Sequence, residues 1–303
     1  MSVVIVMIYS SNQDFIDFLI KKDPSLSLVS NDKARLLVTG QYQKEDYQPS
    51  HQYILVPFTG LNGLDLDFIQ SKGIHVFNTQ AHSKYVAERA LSLILTLLGN
   101  IIPFDQGLRH GNWAHRNDSS RVPWVSLFDK SIGFFGYGAI NQHLHQLLNP
   151  FNIQAYIIDR GKDFKGVHKV KDLISLIEVS DVVVIAAPLS DHTKGIFDGN
   201  IVSQMKDKIL INVGRGPVVN EGALYQALRN ETLKGYGSDV WFHYPQGNGS
   251  QSPSSYPLES LPNVIFTPHN GGFTETAMKD RFEDIYLQIT LILKGDLSRA
   301  LNI

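Results

Sequence analysis

The sequence predicts an α/β protein built on parallel strands: a doubly wound sheet in the second half of the chain and a smaller α/β layer before it. Three observations carry that reading. Six apolar runs, at 131–135, 154–158, 182–187, 209–213, 236–240 and 264–267, recur at a spacing that leaves room for crossover helices. The run 181–187, Asp-Val-Val-Val-Ile-Ala-Ala, is nearly all apolar, as a central parallel strand covered on both faces must be. Between residues 131 and 159 the hydrophobic period changes from that of a strand to that of a helix and back again.

Composition narrows the function classes. A chain of 303 residues is long enough for about two domains. Lysine plus arginine number 27 and aspartate plus glutamate 29, a net charge of -2 with no basic run, so no nucleic acid partner is expected. The absence of cysteine excludes disulfides, thiolate metal sites and thiol nucleophiles, and fits a reducing, cytoplasmic setting. Residues 1–9 lack a basic region before their apolar residues and read as a first strand, not a signal peptide. The longest apolar tract, 90–104, is interrupted by Ser92, Thr96, Gly99, Asn100 and Pro103, so no membrane span is expected.

In chain order, 3–9 is a strand, 13–22 an amphipathic helix capped by Asn12, and 34–39 and 53–57 are two more strands. The loop Phe58-Thr-Gly-Leu-Asn-Gly-Leu-Asp65 either turns the chain or offers backbone N–H groups to an anion. A helix to Lys72, Gly73 and a strand at 74–78 follow. From Ser83 a long helix with Val86, Ala90, Leu93, Leu97 and Leu98 on one side joins two α/β units, and 107–124 reads as irregular surface or a subunit contact. Within the second unit, 173–179 and 223–228 are helical.

Ligands of a doubly wound sheet bind beyond the carboxyl ends of its strands, and that rule selects the candidate residues. Gly136-Tyr137-Gly138 follows the strand 131–135 as a tight turn. Ala139 and Ile140 open a helix stopped by Asn149-Pro150, and a second strand ends on Asp159. This is a dinucleotide-binding arrangement: glycines let the backbone approach a pyrophosphate, the helix N-terminus offers N–H groups, and the acid suits a ribose 2′-hydroxyl. Asn141 stands where a third glycine is usual. Arg215, Asp239 and His269 each follow an apolar strand, and together at one crevice they form a candidate reactive group. His143 and His145, two apart on a helix, point different ways, so no metal site is expected.

From about Phe58 to Gly272 the sequence resembles the D-isomer-specific 2-hydroxyacid dehydrogenases, a family that includes phosphoglycerate, glyoxylate/hydroxypyruvate and formate dehydrogenases. Met205-Lys206 with Leu210-Ile-Asn-Val-Gly-Arg-Gly-Pro-Val-Val-Asn220 resembles the family's catalytic-arginine signature. Val86-Ala-Glu88 resembles its interdomain helix, Ala187-Pro-Leu-Ser-Asp-His-Thr193 its cofactor loop, and Thr267-Pro-His-Asn-Gly-Gly272 its catalytic-histidine motif. The resemblance implies a Rossmann coenzyme domain (83–273) and a flavodoxin-like substrate domain (1–82 and 274–303), the latter including a C-terminal helix from about Phe273. It further implies hydride transfer between nicotinamide and a small 2-ketoacid or D-2-hydroxy acid of the glyoxylate, hydroxypyruvate or glycerate type, and a homodimer.

By that resemblance Arg215 binds the substrate carboxylate and carbonyl oxygen, and His269 donates the proton. Thr59 and Gly60 cradle the carboxylate. Gly136 to Ile140, Ala187, Pro188, Thr193, Val213, Gly214, Gly271 and Gly272 contact the cofactor, with Asp239 on the nicotinamide side. Asp159 favours NAD, because a carboxylate repels a 2′-phosphate, while Arg160 leaves NADP open. Two departures stand out. Tyr244 occupies the position of a usual glutamate that pairs with the histidine; a neutral tyrosine can orient His269 without charging it, unless Glu259 or another acid reaches it instead. His82 replaces a frequent asparagine and either contacts substrate or fills a loop. The stretch 246–256 is a surface insertion. Two other readings stay open: a formate dehydrogenase, which 239–242 also resembles, and a weakly catalytic NAD(H)-sensing interaction protein.

Overall fold

The computed structural model describes residues 7–113, 124–247 and 249–302. The chain divides into two compact units, Met1–His82 with Phe273–Ile303, and Ser83–Gly272. The first contains strands β1 (Ile8–Ser10), β2 (Leu36–Val38), β3 (Tyr53–Val56) and β4 (His75–Asn78), with helices α1 (Gln13–Lys22) and α2 (Leu66–Ser71). The four strands pair in parallel in sequence order. On the outer side of β1, Ile8 N–H donates to Ser27 (2.9 Å) and Val29 N–H to Ile8 (3.0 Å), a parallel bridge through Leu28. Counting that segment as a strand gives the order 2-1-3-4-5 of a flavodoxin-like sheet. Residues 3–6 of the expected first strand lie outside the described residues. Asn12 caps α1 by accepting from the Phe15 N–H (2.9 Å), and Phe15 and Leu19 are the residues the helix buries.

The second unit opens with α3 (Ser83–Leu98) and α4 (Ile101–Arg109), then runs β5 (Ser131–Phe135), α5 (Ala139–Leu148), β6 (Gln154–Ile158), β7 (Val167–Val170), α6 (Leu173–Val179), β8 (Val182–Ile185), α7 (Gly199–Ser203), β9 (Ile209–Asn212), α8 (Glu221–Arg229), β10 (Gly235–Ser238) and β11 (Val264–Phe266). Its sheet is wholly parallel, with the order β11-β10-β9-β8-β5-β6-β7. The order reverses between β5 and β8, the switch point of a doubly wound sheet. Alternation on β8 serves two cores: Val183 and Ile185 join Leu176, Leu210 and Phe197 on one face, Val182 and Val184 join Phe134, Ile211 and Leu144 on the other.

Two expectations are corrected and one is kept. The sheet has seven strands among the described residues, not six: β7 is an edge strand whose His168 and Lys169 are exposed, so it lacks the apolar run that marks its neighbours. The long helix expected from Ser83 is α3, which ends at Leu98; beyond it the chain bends by 59° into α4 at a break where Asn100 takes a left-handed conformation (φ 51°). Residues 107–109 of the stretch read as irregular are the last turn of α4, while 114–123 lie outside the described residues.

The chain closes with α9 (Ala277–Leu293), which returns to the first unit and buries Ile285, Ile289 and Ile292 with Ile8, Leu36, Leu55 and Phe77. Among the described residues no single helix is long and apolar enough to cross a membrane.

One glycine fixes the path after β9. A Cβ on Gly216 would collide with the backbone carbonyl oxygen of Trp241 and lie 3.0 Å from the Phe242 nitrogen, neither of which can yield as a side chain would. Gly216→Ala is therefore expected to lower stability by about 1–3 kcal/mol in urea denaturation, and an unchanged midpoint would contradict the packing described.

Candidate active site

Because every strand of the larger sheet runs the same way, the loops after β5, β6, β8, β9, β10 and β11 leave from one edge. Gly136 follows β5 at φ +86°, a conformation strained for any residue with a Cβ, and a Cβ there would sit 2.8 Å from Ala187 Cα. The turn thus crosses the backbone just after β8 at close range. Gly138 caps α5 with no side-chain hydrogen bond, and nothing lies within 4 Å of a Cβ built on it. The N–H groups of Ala139 and Ile140 in the first turn of α5 carry no side-chain cap, the feature that suits a helix start to a phosphate.

The turn is held from below. Asn141, fully buried, donates from Nδ2 to the Gly136 carbonyl (2.7 Å) and, more distantly, to that of Val184 in β8 (3.4 Å). Gln142 Nε2 donates to the Tyr137 carbonyl (3.0 Å). The Tyr137 hydroxyl meets His145 Nδ1 at 2.6 Å, and its ring packs edge-on against Phe164. Burial pushes the Tyr137 pKa up to about 12 and lowers that of His145, so a neutral imidazole and a neutral phenol share the hydrogen bond.

At the end of β6, Asp159 Oδ1 accepts from the Gly161 N–H (2.9 Å) and lies 3.3 Å from Lys169 Nζ, which also pairs with Asp163 (2.6 Å). The Gly161 hydrogen bond first, and then Lys169, hold its carboxyl below the usual range. The loop after β8 folds on itself: Thr193 Oγ1 donates to the Pro188 carbonyl (2.7 Å) and accepts from the Ser190 N–H (2.8 Å). After β9, the buried Asn212 shapes Val213-Gly214-Arg215, accepting from the Gly214 N–H (3.1 Å) and donating to the Arg215 carbonyl (3.0 Å). Arg215 Nη1 donates to the Gly214 carbonyl (2.7 Å), and no carboxylate among the described residues pairs with it.

His269 sits in the loop after β11 at φ +56°. That loop is bound by Asp239, only 2% exposed, whose Oδ1 accepts from Thr267 Oγ1 (2.7 Å) and the Asn270 N–H (3.2 Å), and whose Oδ2 accepts from the Gly271 N–H (2.8 Å). Arg89 of α3 adds a bond from Nη2 to Asn270 Oδ1 (3.2 Å). Although His269 is exposed as a whole residue, its imidazole is crowded enough that lost hydration pushes its pKa below the usual histidine value. Asp239 opposes that shift and the nearby Arg215 guanidinium adds to it.

Tyr244 reaches His269 through its ring, with centroids 5.4 Å apart; its hydroxyl instead accepts from the Trp241 N–H (2.9 Å). Burial raises its pKa, so the phenol is neutral. Glu259 is exposed on a short turn and makes no bond to His269; the acid that acts on the imidazole is Asp239. The insertion at 246–256 is anchored at its far end, where the Pro253 carbonyl accepts from the Phe242 and His243 N–H groups (3.2 Å each). Gly271 and Gly272 end the histidine loop.

Thr59, Gly60 and His82 belong to the first unit. There the Thr59 hydroxyl lies 3.3 Å from His82 Nε2, and Asn78 Nδ2 fixes the Thr59 carbonyl (2.8 Å). Among the described residues no group of three or more histidine, aspartate or glutamate side chains could hold a metal ion. Sequence reasoning missed Asn212, Gln142 and Arg89. The available signals were a buried amide at the end of an apolar strand and an arginine set among the apolar positions Val86, Ala90 and Leu93.

Residues 91–271 match the profile of the D-isomer specific 2-hydroxyacid dehydrogenase NAD binding domain. A D-3-phosphoglycerate dehydrogenase of Methanocaldococcus jannaschii is 31% identical over 79% of this chain and 45% of its own length, and mitochondrial formate dehydrogenase 2 of Oryza sativa is 31% identical over 74% and 59%. The chain therefore spans about half the length of these curated relatives. The solved D-lactate dehydrogenase of Aquifex aeolicus, complexed with NAD and lactic acid, superposes with a TM-score of 0.80 at 25% identity, covering 97% of each chain. With the matched profile covering more than half of its length, and its glycine turn, arginine and histidine at one edge of a doubly wound sheet, this chain belongs to the D-isomer specific 2-hydroxyacid dehydrogenase family.

Proposed function

We propose that the protein is an NAD-dependent oxidoreductase, with NADP as an alternative cofactor, that interconverts a small 2-ketoacid such as glyoxylate or hydroxypyruvate and a 2-hydroxy acid of the D-glycerate type. The observation that carries the reading is an arginine with no carboxylate partner among the described residues, near an imidazole whose pKa it helps to lower, both at the strand ends that carry an uncapped glycine turn. The residues fit the cofactor: the open space over Gly138 admits a pyrophosphate, and Asp159 Oδ2 makes none of the carboxyl's hydrogen bonds and is left for a ribose hydroxyl. Bound nicotinamide supplies or receives the hydride. Arg215 binds the substrate carboxylate and steadies negative charge growing on the carbonyl oxygen, and His269 gives that oxygen its proton, then takes it back in the reverse direction. Tyr244 packs against the imidazole, and Asp239 holds its loop beside the nicotinamide side. Ala187, Pro188, Thr193, Val213, Gly214, Gly271 and Gly272 line the cofactor, and Thr59, Gly60 and His82 contact substrate.

Formate oxidation is the second reading, favoured by the formate dehydrogenase relative and by a neutral residue at 244 where a glutamate is usual. Following the reduced-nicotinamide absorbance with glyoxylate, hydroxypyruvate, pyruvate and formate separates the two. Turnover with formate alone would replace the first reading, and tight cofactor binding without any turnover would point to an NAD(H) sensor. Arg215→Ala is expected to lower kcat/KM for the ketoacid by about 100-fold or more, with cofactor affinity kept; a loss below about fivefold would remove Arg215 from its role.

The pH dependence follows from the shift on His269. Proton donation requires imidazolium, and a lowered pKa in the free protein means that imidazolium is lost at lower pH, so kcat/KM for ketoacid reduction should fall as pH rises through a value below about 6.5. Oxidation, which needs the neutral ring, should rise over the same range. A reduction profile flat to about pH 8 would contradict the assignment.

A cytoplasmic homodimer completes the proposal. Helix α4 buries none of its residues, and Ile101, Ile102 and Leu108 lie exposed along it, an apolar surface suited to a second copy of the chain. Light scattering should give twice the 33.9 kDa chain mass, and Ile102→Asp with Leu108→Asp should shift the protein to monomer. A wild-type monomer at micromolar concentration would overturn this part.

A further inference from the structure

We propose that Asn141 and Gln142 are positioning residues of the cofactor site, fixing the glycine turn so that its N–H groups face the pyrophosphate. The inference rests on the dinucleotide reading above. In a trans peptide the carbonyl and the following N–H point in opposite directions, so a bond that pins one aims the other. Asn141 pins the Gly136 carbonyl (2.7 Å) and Gln142 the Tyr137 carbonyl (3.0 Å), both from α5. The N–H groups of Tyr137 and Gly138, in those same two peptides, are thereby turned away from the helix.

The orientation of the Asn141 amide is settled by its surroundings: two carbonyls, those of Gly136 and Val184, face the same end, so that end must be the donor. Its Oδ1 is then buried with no partner among the described residues, an arrangement that costs stability. A residue chosen for packing alone would not leave it so. Where a glycine at this position lets helix and strand approach closely, Asn141 fills the same space with an amide that ties the turn to β8. It therefore substitutes a hydrogen-bonded clamp for close packing. Gln142, only half-buried, repeats the device one residue later.

The test uses the full chain and measures equilibrium binding, not turnover. NADH and ADP-ribose, which carry the pyrophosphate, and adenosine, which does not, are titrated against wild type, Asn141→Ala and Gln142→Ala, adenosine by displacement of NADH fluorescence. Each variant is expected to weaken NADH and ADP-ribose about tenfold, the worth of one charge-assisted hydrogen bond misaligned, while adenosine stays within about twofold. Equal weakening of all three would mean a general loss of fold at the site, and unchanged ADP-ribose affinity would mean the turn needs no clamp; either overturns the proposal. If Asn141→Ala does not fold, Gln142→Ala decides, since its side chain lies near the surface. Failure of the wild type to bind NADH or ADP-ribose would instead remove the dinucleotide reading itself.

Discussion

A carboxylate with almost no access to water holds together the loop that matters most. Asp239 lies at the end of β10, 2% exposed, and a carboxylate so placed needs donors around it. It receives three hydrogen bonds, from Thr267, Asn270 and Gly271. Each such bond to a charged acceptor is worth roughly 1.5–3 kcal/mol, whereas holding a non-glycine residue in the left-handed region costs about 1–3 kcal/mol. Three of the former outweigh one of the latter. That balance is why His269 can persist at φ +56° without a glycine's freedom. The donors must also come close: a Cβ on Gly271 would stand 2.8 Å from Asp239 Oδ2, so the loop ends on a residue that has none.

The same solution recurs along the edge of the sheet. Asn212 at the end of β9 bonds both sides of the loop carrying Arg215, and Asn141 at the start of α5 bonds the turn after β5 to β8. Each of these three side chains is buried and bonds the backbone of a loop, Asp239 taking the Thr267 hydroxyl as well. Strand polarity explains the pattern. In a wholly parallel sheet no hairpin joins neighbouring strands at the carboxyl edge, so the carbonyls and N–H groups of its loops draw partners from buried polar residues as well as from one another, as at the bridge of Phe197 with Val219.

Much of this was legible in the sequence, for reasons that can be named. Strands such as β8, covered on both faces, must be apolar throughout, and the change of period at Gly136 exposes the βαβ unit with its glycine turn. What escaped were features whose signal is a partner and not a residue type. Strand β7 is paired on one side only and carries His168 and Lys169 outward, so nothing in its composition sets it apart from a loop. The bridge at Leu28, which completes the flavodoxin-like order, involves a single residue. Tyr244 was identifiable as the residue in place of a glutamate, but the bond of its hydroxyl to the Trp241 N–H is set by the path of a turn that sequence alone does not give.

On the proposed reading, the electrostatics at His269 also change with occupancy. Lost hydration and the Arg215 guanidinium both hold the imidazole neutral in the free protein, and Asp239, committed to its loop, opposes them only in part. A 2-ketoacid carries its own carboxylate. Bound against Arg215, it would neutralise the cation that depresses the imidazole and add a negative charge near the ring, and both effects favour imidazolium. Substrate thus brings with it the condition for its own protonation, and the glutamate absent from position 244 becomes less necessary than its loss suggests. An arginine with no carboxylate partner among the described residues strengthens this effect: had a carboxylate of the chain already paired with Arg215, the guanidinium would be quenched before substrate arrived, and binding would shift the proton less.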